Sequence, residues 1–254
     1  MFNIFFNSDW HFTFYPAVVY LLHGQNPYQV ATLHNPVWAL LPLVPFALFG
    51  ETAGGWLFAI FSLFTYGFVA YRLKARPWAL AAFLLSPPVL NSLILGNIDA
   101  LILWGFLLPA PIGLFLVLAK PQLGIGIAIY WGYVAWKEGR MRKLVITFLP
   151  VTIFFCASFA IFGNWLASRG DDVVAAYWNA SLFPWSVPAG IMLLYLGLKY
   201  LKQRMAIASS PLLSPYVSFG SYSVALVGLL GTELWMITTV VALWALEVVA
   251  RVRF

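Results

Sequence analysis

Long apolar runs separated by short polar or proline-containing breaks make up most of the chain. They cover residues 37–49, 55–71, 78–95, 98–108, 112–119, 123–136, 144–162, 187–201, 205–230 with an interruption, and 234–250. All are of helical length, and none alternates with the period of two expected of a membrane β-strand, so the pattern predicts an all-α chain. Several runs fall short of the roughly 20 residues needed to cross a bilayer upright. The breaks at Pro87-Pro88, Pro109-Ala110-Pro111, Lys120-Pro121 and Ser214-Pro215 therefore predict short or broken helices, which are tolerated where irregular backbone faces protein or a cavity. The expectation is a polytopic integral membrane protein with roughly eight to ten membrane segments, several of them short or broken. It is read as one transmembrane domain over 1–254: an opening polar loop with an interfacial helix (1–36), membrane helices (37–163), an external loop (164–184) and C-terminal membrane helices (185–254).

Composition strengthens this reading, because 63% of the residues are hydrophobic and 9% charged, against about a quarter charged in soluble domains. One cysteine, Cys156, rules out a disulfide framework or a cysteine-based metal site. The net charge of +6 does not point to nucleic acid. The basic residues fall in short groups between apolar runs: Arg72/Lys74/Arg76, Lys137/Arg140/Arg142/Lys143, Lys199/Lys202/Arg204 and Arg251/Arg253. Such groups mark cytoplasmic loops. The polar stretch with Asp171 and Asp172 is then external. If every run from Val37 to Arg76 crosses once, however, the opening loop and the first basic group fall on the same side. Either one run does not cross or that group breaks the rule.

The segment Asn7 to Pro36 is too polar and aromatic to lie wholly in lipid. It carries Asp9, His11, His23 and His34 and the turn pairs Asn26-Pro27 and Asn35-Pro36. Asp9 reads locally as the N-cap of a helix starting near Trp10, and Asn97 with Asp99 reads as a capped helix start after Gly96. Lys120 interrupts an uncharged stretch and so faces either a cavity partner or a solvated turn. The histidine spacings fit no metal site, and no metal is expected. Asp171-Asp172 reads as a solvated pair beside Arg169, and Asn179-Ala180-Ser181 as a sequon on the external side. No phosphate-binding glycine loop, Rossmann fingerprint or nucleophile elbow is present.

Four stretches carry a family likeness. LLHGQNPYQVATLHNPVWALLPLVPFALFG, LILGNIDALILW, LVLAKPQLG and LLSPYVSFGSYSV resemble, in order and spacing, the motifs of glycosyltransferase family 87. These are polyprenol-phosphate-mannose-dependent α-mannosyltransferases of the GT-C fold. The resemblance implies Asp9 as general base on the acceptor hydroxyl and Lys120, with His34 and Tyr222, on the donor phosphate. It implies further substrate contacts from Asn97, Asp99 and Tyr216, with Asn26 to Tyr28 shaping the loop over the cavity. It also implies an inverting displacement without cofactor. Two departures stand out. The family's first membrane helix is expected to be lacking, which suggests a partner subunit that supplies it. In addition, Phe219, Gly220, Ser221 and Tyr222 stand where the family tends to carry a histidine.

The expected function is transfer of a sugar, mannose by the resemblance, from a polyprenyl-phosphate donor to a lipid or glycan acceptor. It would take place at the external face of a prokaryotic plasma membrane, with membrane lipid as surroundings and no nucleic-acid partner. The alternative is a non-catalytic membrane subunit or scaffold with a GT-C-like fold. A transporter ranks lowest, because no repeated halves with paired half-helices are visible.

Overall fold

A computed structural model describes residues 6–165 and 178–252, with side chains described as far as residue 249. Arg169, Asp171, Asp172, Arg251 and Arg253 fall outside these limits. Every regular element among the described residues is helical. A π-helical turn (Trp10–Phe14) leads into α1 (Tyr15–Leu22), and a 3-10 segment (Val37–Leu43) into the short α2 (Val44–Ala47). Then follow α3 (Glu51–Arg72), α4 (Pro77–Leu84), α5 (Pro87–Leu95), α6 (Asp99–Gly105), α7 (Ala110–Val117) and α8 (Pro121–Phe162). The chain closes with α9 (Val187–Tyr200), α10 (Gln203–Leu212), α11 (Ser223–Leu226) and α12 (Glu233–Val252).

Proline sets the helix starts. Pro87 opens α5, Pro111 lies in the first turn of α7 and Pro121 opens α8, positions where the missing N–H costs nothing and the fixed φ suits a helix. The run at 37–49 meets Pro42 and Pro45 internally. Lost donors there leave 3-10 geometry and one short helix instead of a crossing.

By length and composition, α3 and α8 are long and apolar enough to cross a membrane, and α4 with α5, bent by 47°, makes a third candidate. Among the described residues that is fewer long helices than the number of apolar runs suggests. α8 is itself a hairpin: Gly139 and Arg140 leave helical geometry, Arg140 with φ 49°. Beyond them, Leu144 and Phe148 return beside Gly132, and Phe154 meets Phe115 of α7.

The opening segment and the first basic group separate along α3. Its first turn lies beside Trp10, whose indole donates to the Glu51 carbonyl at 2.7 Å, and its last turn carries Arg72. Because the 37–49 run makes no crossing helix, the opening segment and the first basic group lie at opposite ends of α3. Two of the other three groups, those at 137–143 and 199–204, gather at the Arg72 end. The Arg76 amide donates to the Leu230 carbonyl, Arg204 packs against Gly231, and Tyr130 donates to the Leu201 carbonyl. Lys137, Arg140, Arg142 and Lys143 surround the exposed turn of α8.

At the other end, Trp10 is fully buried and stacks on Phe58 at 5.6 Å. It fits there because Gly54, Gly55 and Gly96 offer no side chain. A Cβ on Gly54 would run into the Phe46 carbonyl, and one on Gly55 would lie 2.9 Å from the Trp10 ring. Gly96, at φ 68°, closes α5 in the left-handed conformation that glycine favours. The Asn7 amide donates to the Ile94 carbonyl at 2.7 Å. The opening segment is thus fixed between α3 and the end of α5, which brings Asp9 against the start of α6.

Candidate functional site

Five polar side chains from four parts of the chain meet at this end. Asn97 Nδ2 donates to Asp9 Oδ2 at 2.5 Å, and Asn97 Oδ1 accepts from Lys120 Nζ at 3.0 Å. The same ammonium donates to Asp99 Oδ1 at 2.5 Å and to Ser221 Oγ at 2.9 Å. Ser221 in turn bonds Asp99 Oδ2 at 3.1 Å and Ser218 Oγ at 2.8 Å. Asp99 and Ser221 are completely buried, and Lys120 is 6% exposed.

Both local capping readings give way to these long-range partners. Asp9 has helical backbone angles and its side chain caps nothing. Asn97 does not cap α6, whose N-cap residue is Ile98 without a side-chain cap bond; Asp99 does stand in its first turn, where the helix dipole favours it, but its side chain goes to Lys120 and Ser221. The solvated-turn reading of Lys120 also fails, because the lysine is buried against a carboxylate. A charge held away from water needs a counter-charge and full hydrogen bonding, and Asp99, Asn97 and Ser221 supply both. All three ammonium protons are therefore taken within the protein, which leaves none for a donor phosphate in this arrangement.

The cluster forms one wall of a cavity of about 490 Å³. Asp9, Asn97 and Lys120 line it, together with His34, Asn35, Gln122, Trp178, Tyr216 and Ser218. The loop bearing His34 is held by Asn35, which donates to the Ala119 carbonyl at 2.9 Å, beside Lys120. Among the charged groups two carboxylates face one ammonium. Burial pushes the Asp9 carboxyl up to about 6 from the ordinary 3.8. The Lys120 charge and the Asn97 hydrogen bond oppose that rise, and the Asp99 charge adds to it. A carboxyl so poised ionises near neutral pH while remaining basic enough to take a proton.

Other expected site residues have structural tasks. The Asn26 side chain accepts from the Tyr28 amide at 3.0 Å and caps the 3-10 turn Pro27–Gln29. Tyr28 stacks on Trp165 at 5.2 Å with 6° between the rings. The Tyr222 hydroxyl donates to the Ala180 carbonyl at 3.0 Å and accepts from the Leu182 amide at 3.2 Å, which holds the chain beyond Trp178. None of these three lines the cavity. Tyr222 in particular is not where a donor phosphate would be met from the Lys120 wall, because its hydroxyl is engaged on the backbone. His34 and Tyr216 do line the cavity. His11 pairs with Glu51 at 2.8 Å, away from the cavity lining.

Ser221 is the central residue that sequence reasoning passed over, although it lies inside a stretch singled out for its likeness. The signal available was the uninterrupted small and polar run around it. Ser8, Thr13, Thr32 and Gln122 also line the cavity and carry no pattern that distinguishes them in sequence. No group of His, Cys, Asp and Glu among the described residues could hold a metal ion. Compared with family models, with curated proteins and with solved structures, the chain has no match.

Proposed function

We propose that this chain is a membrane glycosyltransferase that moves a sugar, mannose by resemblance, from a polyprenyl phosphate to a hydroxyl of a lipid or glycan acceptor. The observation that carries the proposal is the Asp9 carboxylate on the cavity wall, raised by burial to about 6 and held by Asn97. A phosphate ester already has a good leaving group, so the protein's work is to orient the acceptor, take its proton and exclude water. The acceptor oxygen bonds the anomeric carbon as the carbon–phosphate oxygen bond breaks. The electron pair leaves on the phosphate, and the acceptor proton goes to Asp9. His34 and Tyr216, which also line the cavity, are the side chains proposed to meet the donor.

The membrane reading rests on outward-facing apolar side chains, such as Trp56, Ile60 and Phe64 on α3 and Ile125, Ile129 and Ile153 on α8. The first arm of α8 runs from the cavity at Pro121 to the basic turn at Glu138, about 27 Å at 1.5 Å per residue, close to the hydrocarbon thickness of a bilayer. With the basic turn cytoplasmic, the cavity and the opening segment face the external side.

The test is transfer by the purified protein in nanodiscs, from radiolabelled polyprenyl-phosphate mannose to total membrane lipids, alongside Asp9→Asn. Product that disappears with the variant is expected; equal product from both removes Asp9 as the base.

One observation favours a second reading. Since Lys120 spends all its protons on Asn97, Asp99 and Ser221, the cluster also suits a polar pin in a non-catalytic membrane subunit. Such a subunit leaves mild detergent with a stoichiometric partner and transfers no sugar.

A further inference from the structure

We infer that Lys120 is a positioning residue that acts on Asp9 through Asn97, orienting the amide so that Asp9 is held in its ionised form. The inference rests on the reading of Asp9 as base and goes beyond it, since it moves Lys120 from the donor phosphate to the control of the base.

The argument is one of donors and acceptors. An ammonium has protons and no lone pair, so only the oxygen of the Asn97 amide can face Lys120 Nζ at 3.0 Å. The amide is planar, and its NH₂ must then point the other way. There it donates to Asp9 Oδ2 at 2.5 Å, a bond that an ionised carboxylate accepts best. Were the amide turned round, N–H would face N–H at Lys120, and the oxygen would face Asp9, which only a protonated acid could satisfy. Asp99 and Ser221 complete the device from behind by fixing the ammonium at 2.5 and 2.9 Å. His34 and Tyr216 lie along the cavity, and His11, on the same helical turn as Asp9, is held by Glu51.

The inference separates an effect relayed by the amide from a plain electric field. Replacing Lys120 by Met alone removes a positive charge, which raises the Asp9 pKa whatever Asn97 does. In Lys120→Met combined with Asp99→Asn, a positive and a negative charge vanish together, and their fields at Asp9 offset in part, the lysine's being the larger. The amide's share is read by adding Asn97→Leu to that pair: an amide freed from Lys120 no longer favours the ionised Asp9, so its removal should shift the midpoint no further, and a further rise of about one unit overturns the relay. Asn97→Leu is the second variant. It keeps the Lys120–Asp99 pair, hence the fold, and removes the bridge.

The readout needs no substrate. Dicyclohexylcarbodiimide labels protonated carboxyls in apolar surroundings, and mass spectrometry of the peptide bearing Asp9 gives the labelled fraction against pH for the full chain in nanodiscs. The wild-type midpoint is expected near 6, and both variants should move it up by about one unit, the lower end of what a charge partner or hydrogen bond contributes to a carboxylate. A midpoint unchanged in Asn97→Leu overturns the inference. A midpoint that moves in Asn97→Leu but not in the double variant overturns the part assigned to Lys120. The base reading fails separately, by sugar transfer that survives Asp9→Asn while the labelling shifts persist.

Discussion

Replacing Asp9 by Asn should make the protein more stable, and by an amount that depends on pH. The Asp9 carboxyl ionises at about 6 in the folded chain against 3.8 ordinarily, so folding disfavours the charge. The sign follows directly. A raised folded pKa means that the contribution of Asp9 to stability is complete below about 3.8 and is lost as pH rises through about 6. The shift of about two units, at about 1.36 kcal/mol each, amounts to roughly 3 kcal/mol at full development. Of this, roughly 2.5 kcal/mol develops between pH 4 and pH 8, because an unfolded Asp is already partly ionised at pH 4. Asparagine has nearly the same shape, and its side-chain oxygen can still accept from Asn97 Nδ2. The variant therefore loses the pH-dependent cost and keeps the contact. Thermal unfolding followed by tryptophan fluorescence, in detergent at pH 4 and pH 8, measures the effect. The gap between variant and wild type should widen by roughly 5–10 °C at the higher pH, at about 2–4 °C per kcal/mol for a chain of this size. A gap that stays constant from pH 4 to pH 8, or an asparagine variant less stable at pH 8, would refute the burial argument for Asp9.

Four further outcomes are expected. If Asp9 is the base, transfer measured as kcat/KM should fall about tenfold per pH unit below about 6 and level off above it; a flat profile from pH 5 to 8 would speak against that role. Lys120→Met leaves the buried Asp99 without its counter-charge and should cost roughly 3–5 kcal/mol. Adding Asp99→Leu should recover most of that cost in a denaturant titration, and independent effects in the double-mutant cycle would mean the pair is not coupled. Gly54→Ala, which drives a Cβ into the Phe46 carbonyl, should cost roughly 1–3 kcal/mol, whereas Gly67→Ala on the same helix meets nothing within 4 Å and should be neutral or stabilising by roughly 0.5–1 kcal/mol. Trp10→Ala should cost roughly 3–5 kcal/mol and should also abolish transfer, because the ring fixes the segment that carries Asp9; a variant equally destabilised but fully active would separate anchoring from chemistry.

Run length and apolar composition were enough to read an all-helical chain, because the backbone in lipid has few other ways to satisfy its hydrogen bonds. Lys120 was legible as an anomaly for a similar reason: a lone cation in an apolar stretch needs a partner. What that partner was could not be read. Asp9 and Asn97 lie 88 residues apart and Lys120 and Ser221 lie 101 apart, while capping rules consider only the nearest turn. Local rules therefore assigned Asp9, Asn97 and Asp99 to helix ends; Asp99 does open α6, but tertiary partners claimed the side chains of all three. His34 and Tyr216 line the cavity. Tyr222 and Tyr28 do not, since an aromatic residue in a loop can serve as a wedge or a backbone tie as readily as a ligand contact. The separation of the opening segment from the first basic group along α3 turns on Pro42 and Pro45. Hydropathy counts the run at 37–49 as apolar, but a count of backbone donors shows why it does not form one helix.

The lateness of Ser221 bears on how the molecule is made. Synthesis delivers Asp9, Asn97, Asp99 and Lys120 well before the segment that completes their cluster. Asp99 and Lys120 can enter the helical bundle together as an internally neutral pair, so neither charge has to be carried into the bundle alone. The ammonium nevertheless lacks its third acceptor until α9 and α10 have been laid against α8 and the following turn closes over it. A nascent chain stalled before that turn leaves one donor of a buried ammonium without its acceptor. The cavity wall is thus finished only when the turn bearing Ser221 has closed over the pair.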